Sequence, residues 1–198
     1  MSELLAFSQA CENNKAPIVQ VLANAFQRSQ RVLEIGGGTG QHAVHFAANL
    51  PQLIWQSSDQ PIYLPDLSAR IQQANLPNLP TPVPLDITSS PYTAIKVDAI
   101  FTANTLHIMP WHVVEQMFQR LDEFCLPQAD MCIYGPFNYQ GQFTSASNAG
   151  FDQHLKQRDP LMGIRNIEDV IRLATEAGFS LQHDYAMPAN NRLLHFKR

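Results

Sequence analysis

The stretch Arg31-Val32-Leu33-Glu34-Ile35-Gly36-Gly37-Gly38-Thr39-Gly40 reads as a short apolar strand that ends beside an acid and turns through alternating glycines into a helix. Gly36, Gly38 and Gly40 permit positive φ and let a ligand approach the backbone with no Cβ in the way. The helix that follows presents free N–H groups at its start, a partially positive end suited to a carboxylate or an adjoining polar group. Together these elements predict a nucleotide-type pocket at the carboxyl end of a parallel strand.

The spacing narrows the ligand. A dinucleotide fingerprint needs glycine at the first, third and sixth positions. Counting from Gly36, the third position is Gly38 but the sixth is Gln41. The pattern E-x-G-x-G-x-G over Glu34–Gly40 instead resembles the first motif of S-adenosylmethionine (SAM) methyltransferases. Glycine-rich turns also occur in other α/β proteins, so the rest of the chain has to decide.

The 198 residues fit one domain, 1–198, long enough to bury a core. Charged residues make up 15% of the chain, against about 25% in average usage. A net charge of -4 and a pI near 5.9 speak against general nucleic-acid or anionic-membrane affinity. Cys11, Cys125 and Cys132 show no C-x-x-C spacing, and the last two sit among apolar residues as reduced buried thiols do. The first residues, Met1-Ser2-Glu3-Leu4-Leu5, lack a basic region and a sustained apolar run, and no segment approaches the ~18 apolar residues of a membrane helix. A cytoplasmic protein is expected.

Hydrophobic periodicity lays out the elements. Ile18, Val21, Leu22, Ala25 and Phe26 predict an N-terminal helix with Pro17 in its first turn, part of a helical arm over about 1–29. Further helices are expected over 41–50, through Leu64, Leu67, Ile71 and Ala74, from Pro110 through Phe124, and after Asn166 as a cap. Strands are expected at Leu53–Asp59, Pro82–Leu85, Val97–Ala103 and Met131–Tyr134, with a closing pair at 179–186 and 192–196. Asn138 to Arg165 shows no clear period and reads as a lid segment, 138–165. Alternation of this kind predicts one doubly wound, Rossmann-like α/β sheet with a C-terminal closing strand pair.

Polar residues at predicted strand ends carry the candidate chemistry. Asp59 lies nineteen residues after Gly40 and can accept both ribose hydroxyls of a nucleoside; an acid there equally caps the next helix. Asp86 follows the third strand, where the acid of SAM methyltransferases accepts from the adenine amino group and Ile87 would flank the ring. Asp86 is also a turn-former before Thr88-Ser89-Ser90-Pro91. Asn104 and His107, after the fourth strand, can hold the donor or the acceptor. His107 is a general-base candidate, although an isolated histidine among apolar residues more often serves structure. Trp111 suits core and pocket equally.

The chain resembles the domain-of-unknown-function 938 family of SAM-dependent methyltransferases, related to methyltransferase-like protein 26. The resemblance runs through residues 10–18, Glu34–Gly40, Trp55–Asp59, Ala103–Ile108, Tyr134–Phe137, Phe143–Asp152 and Met187–Asn191. It implies a class I methyltransferase (α/β) fold and SAM as cofactor, and it leaves the acceptor open. Asn14 and Lys15 are candidates to close over the site from the N-terminal arm, or serve as a cap and an exposed charge. Asn148, Asp152, Arg165, Asn190 and Asn191 are polar positions of the family-specific segments, candidates for selecting the acceptor or for holding the lid.

Other chemistries fit less well. His42 and His45 share a helix side, but no nearby Cys, Asp or Glu completes a zinc set, and no metal is expected. There is no G-x-S-x-G elbow, no Walker lysine after the glycine loop and no N/D-P-P-Y/F sequence at Asn104. The reading is methyl transfer from SAM to an O, N or S nucleophile of a small molecule. A non-catalytic or partner-dependent SAM-binding protein is the main alternative, and an NAD oxidoreductase a lesser one.

Overall fold

The computed structural model describes residues 5–89 and 96–198. Ser90 and Pro91 of the predicted turn, and the first four residues, lie outside them.

The first helix, α1 (Gln9–Ala25), is capped by the Ser8 side chain, which accepts from the Cys11 N–H. It starts eight residues before Pro17, so that proline sits in the helix interior and not in the first turn. An interior proline removes one helical hydrogen bond and costs about 3 kcal/mol. Burial of Ile18, Leu22 and Ala25 offsets that cost. β1 (Arg31–Ile35) leads through the glycines to α2 (Gln41–Asn49), and β2 (Ile54–Asp59) passes by a single 3₁₀ turn into α3 (Leu64–Ala74). After β3 (Val83–Pro84) comes β4 (Val97–Ala103), buried along most of its length.

The helix predicted after Pro110 runs as two pieces, α4 (Trp111–Gln119) and α5 (Leu121–Phe124), followed by β5 (Cys125–Gly135). A short parallel pair, β6 (Phe137–Asn138) and β7 (Arg165–Asn166), brackets α6 (Ala146–Arg158). The segment without a readable period thus contains a thirteen-residue helix. Its buried positions are Asn148, Asp152 and Leu155, so polar residues carry a helical spacing that apolar periodicity does not detect. Asn166 stands at the cap position of α7 (Ile167–Glu176), but its side chain donates to Asp169 (3.1 Å) and caps no backbone N–H. β8 (Ser180–Met187) and β9 (Asn191–Lys197) close the fold.

Among the described residues seven strands form one sheet in the order β3-β2-β1-β4-β5-β9-β8. β3 through β5 are parallel, and β9 runs antiparallel between β5 and β8. Successive residues of a strand face opposite sides, so Ile100 and Ile133 enter one core layer, with α4, α5 and α7. Phe101 and Tyr134 enter the other, with α1, α2 and α3. Strand order reverses between β1 and β4, and the carboxyl ends of the parallel strands open there into the loops that carry Gly36, Gly38, Gly40, Asp86, Asn104 and His107.

Candidate functional site

Three glycines of the loop after β1 have positive φ: Gly36 (78°), Gly38 (53°) and Gly40 (74°). The Gly36 and Gly37 amides donate to the Ser58 carbonyl at 3.0 and 2.9 Å and lock the loop to β2. Gly37, outside the alternating pattern, is held by space. A Cβ there would lie 2.2 Å from Ser57 Oγ and 3.0 Å from Leu67. A Cβ on Gly38 would meet no atom within 4 Å, so the loop turns an open face outward at that residue.

Two acids stand under this loop in different roles. Glu34 is 2% exposed, and its Oε2 accepts from Ser57 Oγ (2.6 Å) and Trp55 Nε1 (3.2 Å). Burial pushes its pKa up to about 7 against those two bonds. Asp59 accepts the Gly38 N–H on Oδ2 and the Gln60 N–H on Oδ1, both at 2.7 Å. Neither the 3₁₀ turn nor α3 receives a side-chain cap, so Asp59 ties β2 to the glycine loop and caps no helix. Burial raises its pKa, and the two backbone bonds oppose the rise. Asp86 Oδ1 accepts from the Thr88 N–H (2.9 Å) and hydroxyl (2.7 Å), which makes the predicted turn, and Ile87 is buried in the core.

At the end of β4, Asn104 adopts a left-handed conformation (φ 57°), uncommon for a residue with a side chain. His107 is 5% exposed, and its ring stands edge-on to Phe151 of α6 at 5.3 Å between centroids. Gly135, which the sequence reading did not single out, lies beside both residues. A Cβ on it would lie 3.7 Å from His107 Nδ1 and 3.9 Å from Asn104 Oδ1. Burial, helped by the nearby Arg165 guanidinium, lowers the His107 pKa to about 4. The ring is therefore neutral at pH 7. Trp111 is partly buried, with the Arg165 guanidinium 5.7 Å from its ring centroid.

The N-terminal arm is strapped to the glycine loop. Gln41, at the position where a dinucleotide loop carries glycine, accepts from the Ser8 N–H (2.6 Å) and Thr39 Oγ1 (2.9 Å). It donates to Ser8 O (3.2 Å) and Glu12 Oε1 (2.6 Å). Arg70 donates from Nε to the Thr39 carbonyl (2.5 Å) and from Nη2 to the Ala6 carbonyl. Sequence reasoning missed both residues, because nothing local marks their distant partners. Asn14 is buried, with its Oδ1 2.6 Å from His42 Nε2, whereas Lys15 pairs with Glu12 (2.6 Å). Burial lowers the His42 pKa to about 4. His45 makes no shared site with it, and among the described residues no cluster of metal-ligating side chains occurs.

The remaining candidates fall into two groups. Asn14 and Asn191 lie near the Tyr134 hydroxyl at the end of β5, and Asn191 Nδ2 donates to the Pro188 carbonyl (3.2 Å). Asn148 and Asn190 join α6 to the turn before β9: Asn148 Nδ2 donates to Asn190 O (3.2 Å), and Asn190 Nδ2 donates to Ser147 Oγ (3.2 Å). Asp152 accepts the Ile164 N–H (2.8 Å) and pairs with Lys156 (2.6 Å). Arg165 donates to the carbonyls of Leu106, Met109 and Leu161. In this structure Asp152 ties α6 to the backbone ahead of β7, and Arg165 joins that segment to the loop after β4.

The fold has many solved counterparts. An O-methyltransferase family protein from Burkholderia thailandensis superposes with a TM-score of 0.79 at 17% identity, over 93% of this chain and 56% of that one. The apo form of the S-adenosylmethionine-dependent methyltransferase SibL gives 0.78 at 22% identity, over 96% and 55%. PigF, solved with SAH, gives 0.78 at 14% identity, over 92% and 55%. At these identities the likeness establishes the class I methyltransferase fold, and the chain spans about half the length of each of these proteins. Residues 5–198 match the model of the family described as "Protein of unknown function (DUF938)". The chain belongs to the DUF938 family.

Proposed function

We propose that this protein is a SAM-dependent methyltransferase acting on an O, N or S nucleophile of a small molecule. One observation carries the reading. The Asp59 carboxylate is bonded to the amide of Gly38, the loop residue with open space outside it, at the reversal of strand order. Each Asp59 oxygen keeps acceptor capacity for a ribose hydroxyl. Asp86, in the turn after β3, with Ile87 next to it, is assigned to the base. Glu34 serves from below, fixing Ser57 and the loop floor. SibL, an S-adenosylmethionine-dependent methyltransferase, and PigF, solved with SAH, support the cofactor at the level of the fold.

SAM, when bound, supplies a methyl group on a sulfonium that departs as a neutral thioether. The chain's own residues then have modest tasks: seat the acceptor, orient it and exclude water. Asn104, His107 and Gly135 line the acceptor side of the β4–β5 edge, under α6. Neutral His107 accepts a hydrogen bond from the acceptor's proton and orients the lone pair. With a pKa of about 4 it is too weak a base at pH 7 to supply much of the rate by proton removal. Residues 138–165 act as the lid and 1–29 as the arm of a single domain, 1–198. The acidic charge favours a small molecule over nucleic acid. Among the described residues no helix is long and apolar enough to cross a membrane, and we place the protein in the cytoplasm. Kinship with methyltransferase-like protein 26 belongs to the same proposal.

Calorimetry with S-adenosylhomocysteine tests the cofactor: binding supports the proposal, and binding of NAD in its place overturns it. A radiolabelled-methyl screen of cell metabolites tests transfer. SAH binding with no labelled acceptor would favour the non-catalytic reading.

A further inference from the structure

Helix α6 keeps an aromatic side chain open on the side it turns to the protein. Its buried positions are Asn148, Asp152 and Leu155, at the i, i+4, i+7 spacing of one helix face. Phe151 falls on that same face by spacing, and its ring meets His107 at 78° and 5.3 Å between centroids. Yet Phe151 is 38% exposed, while the polar residues beside it are covered. The uncovered part of this inward side chain fronts a gap next to His107, where no protein group packs.

Two more exposed apolar residues share the neighbourhood. Ile108, next to His107, is 44% exposed, and Leu161 is 55% exposed. Arg165 Nη2 holds both the Met109 and the Leu161 carbonyls, and the Gly163 N–H donates to the His107 carbonyl (3.0 Å). These bonds draw the chain after α6 onto the residues around His107. Exposed apolar side chains gathered at one place mark a binding surface. This one is continuous with the donor loop, because a Cβ on Gly36 would lie 3.0 Å from Oγ1 of Thr105, two residues before His107.

The polar atoms at the inner end select the head group. His107 Nδ1 and Asn104 Oδ1 both lie beside Gly135, and both side chains are neutral at pH 7. A hydroxyl donates and accepts, so it satisfies a neutral imidazole in either tautomer and an amide in either orientation, whereas a carboxylate only accepts. The nearby cations are committed, Arg165 to backbone carbonyls and Lys156 to Asp152.

We propose that the methyl acceptor is a flat aromatic molecule with an un-ionised hydroxyl, its ring against Phe151, Ile108 and Leu161 and its hydroxyl on His107 and Asn104. The inference rests on the methyl-transfer reading above and narrows the nucleophile to oxygen.

The experiment is calorimetry of the full-length protein saturated with S-adenosylhomocysteine. The probes are 2-naphthol, decahydro-2-naphthol, which keeps the hydroxyl and the apolar body without the aromatic ring, and 2-naphthoate, which carries a carboxylate instead. 2-Naphthol is expected to bind about 3- to 10-fold more tightly than decahydro-2-naphthol, as ring–ring contact adds to area burial, and more tightly than 2-naphthoate. Phe151→Leu keeps apolar bulk in place. It should bring the two alcohols within about twofold of each other and leave S-adenosylhomocysteine affinity within about twofold of its original value. A Phe151 that serves structure alone would leave the ratio of the two alcohols unchanged in the variant, and that result would overturn the proposal. So would absent binding of 2-naphthol, or tighter binding of 2-naphthoate. No binding of S-adenosylhomocysteine by the unsubstituted protein would remove the SAM reading itself, a result distinct from these.

Discussion

Gly37→Ala separates a glycine needed for the fold from Gly38, the glycine open to a ligand. The added Cβ would lie 2.2 Å from Ser57 Oγ, well inside contact distance, with two Leu67 methyl carbons at 3.0 and 3.2 Å. Ser57 is fully buried and its hydroxyl is committed to Glu34 at 2.6 Å, so it has no free rotamer to retreat to. Overpacking of this kind costs about 1–3 kcal/mol. Displacing the hydroxyl from a buried carboxyl group adds about 1.5–3 kcal/mol. We expect a loss of about 3–5 kcal/mol, a large part of the roughly 5–15 kcal/mol that holds a domain folded. Gly38→Ala is the contrast. It meets no atom, costs about 1–2 kcal/mol for its left-handed backbone, and places a methyl group where the ligand would approach. Urea unfolding followed by circular dichroism, with S-adenosylhomocysteine calorimetry alongside, reads both effects. Combining Gly37→Ala with Ser57→Ala should recover at least about 1 kcal/mol relative to the sum of the single changes. Equal stability losses for Gly37→Ala and Gly38→Ala, with no recovery in the double variant, would refute the account of a pinned Ser57.

Three further outcomes follow from the same contacts. Asp59→Ala should weaken S-adenosylhomocysteine by about 1.5–3 kcal/mol, with Asp59→Asn intermediate by calorimetry; undiminished affinity would restrict Asp59 to holding the loop. Between pH 6.5 and 4 the unfolded chain takes up protons on His42 and His107 that the folded chain refuses, so acidification destabilises the fold through both residues. Glu34, with its pKa raised from 4.5 to about 7, acts in the opposite sense across that window, so these three groups together contribute about one proton, roughly 1.4 kcal/mol per pH unit between 4.5 and 6.5. Melting temperatures against pH should show that slope, and His42→Gln should flatten it. Arg70→Met keeps the aliphatic packing on Gly40 but frees the Ala6 and Thr39 carbonyls. Limited proteolysis ahead of α1 should then accelerate, with about 1–2 kcal/mol lost in global stability.

Much of the fold was legible because β1, β4 and the Met131–Tyr134 part of β5 are largely apolar runs that lead into a glycine or a polar residue. Burial on both faces imposes that pattern. Helix α6 was not legible, since two of its three buried positions are Asn148 and Asp152, held by hydrogen bonds and an ion pair. Pro17 pointed to a helix start by local preference, and tertiary packing of α1 overrode it. In the site, glycine spacing exposed Gly36, Gly38 and Gly40 but passed over Gly37, whose constraint comes from a side chain twenty residues away. Gln41 appeared only as a departure from the dinucleotide pattern. Its role as the strap for the N-terminal arm depends on contacts that no local spacing encodes. Arg165 and Asp152 were readable as polar, but neither the burial of Asp152 nor the three carbonyls that Arg165 reaches is encoded locally, and these make both residues hold backbone in this structure.

The placement of β9 between β5 and β8 has a consequence for how the protein is made. Translation releases the chain in order, at about 5–20 residues per second. β5 therefore emerges complete, with one edge unpaired, roughly 3–12 s before the strand that will cover it. Throughout that interval the nascent chain displays the apolar backbone edge of Met131, Cys132 and Ile133, a row of free amides and carbonyls able to pair with any passing strand. β8 emerges first and cannot cover it in the native register, because its own partner is the same late strand. Sheet closure thus waits until β9 has emerged, and the yield of folded protein should depend on shielding of nascent chains more steeply than on the stability of the finished domain.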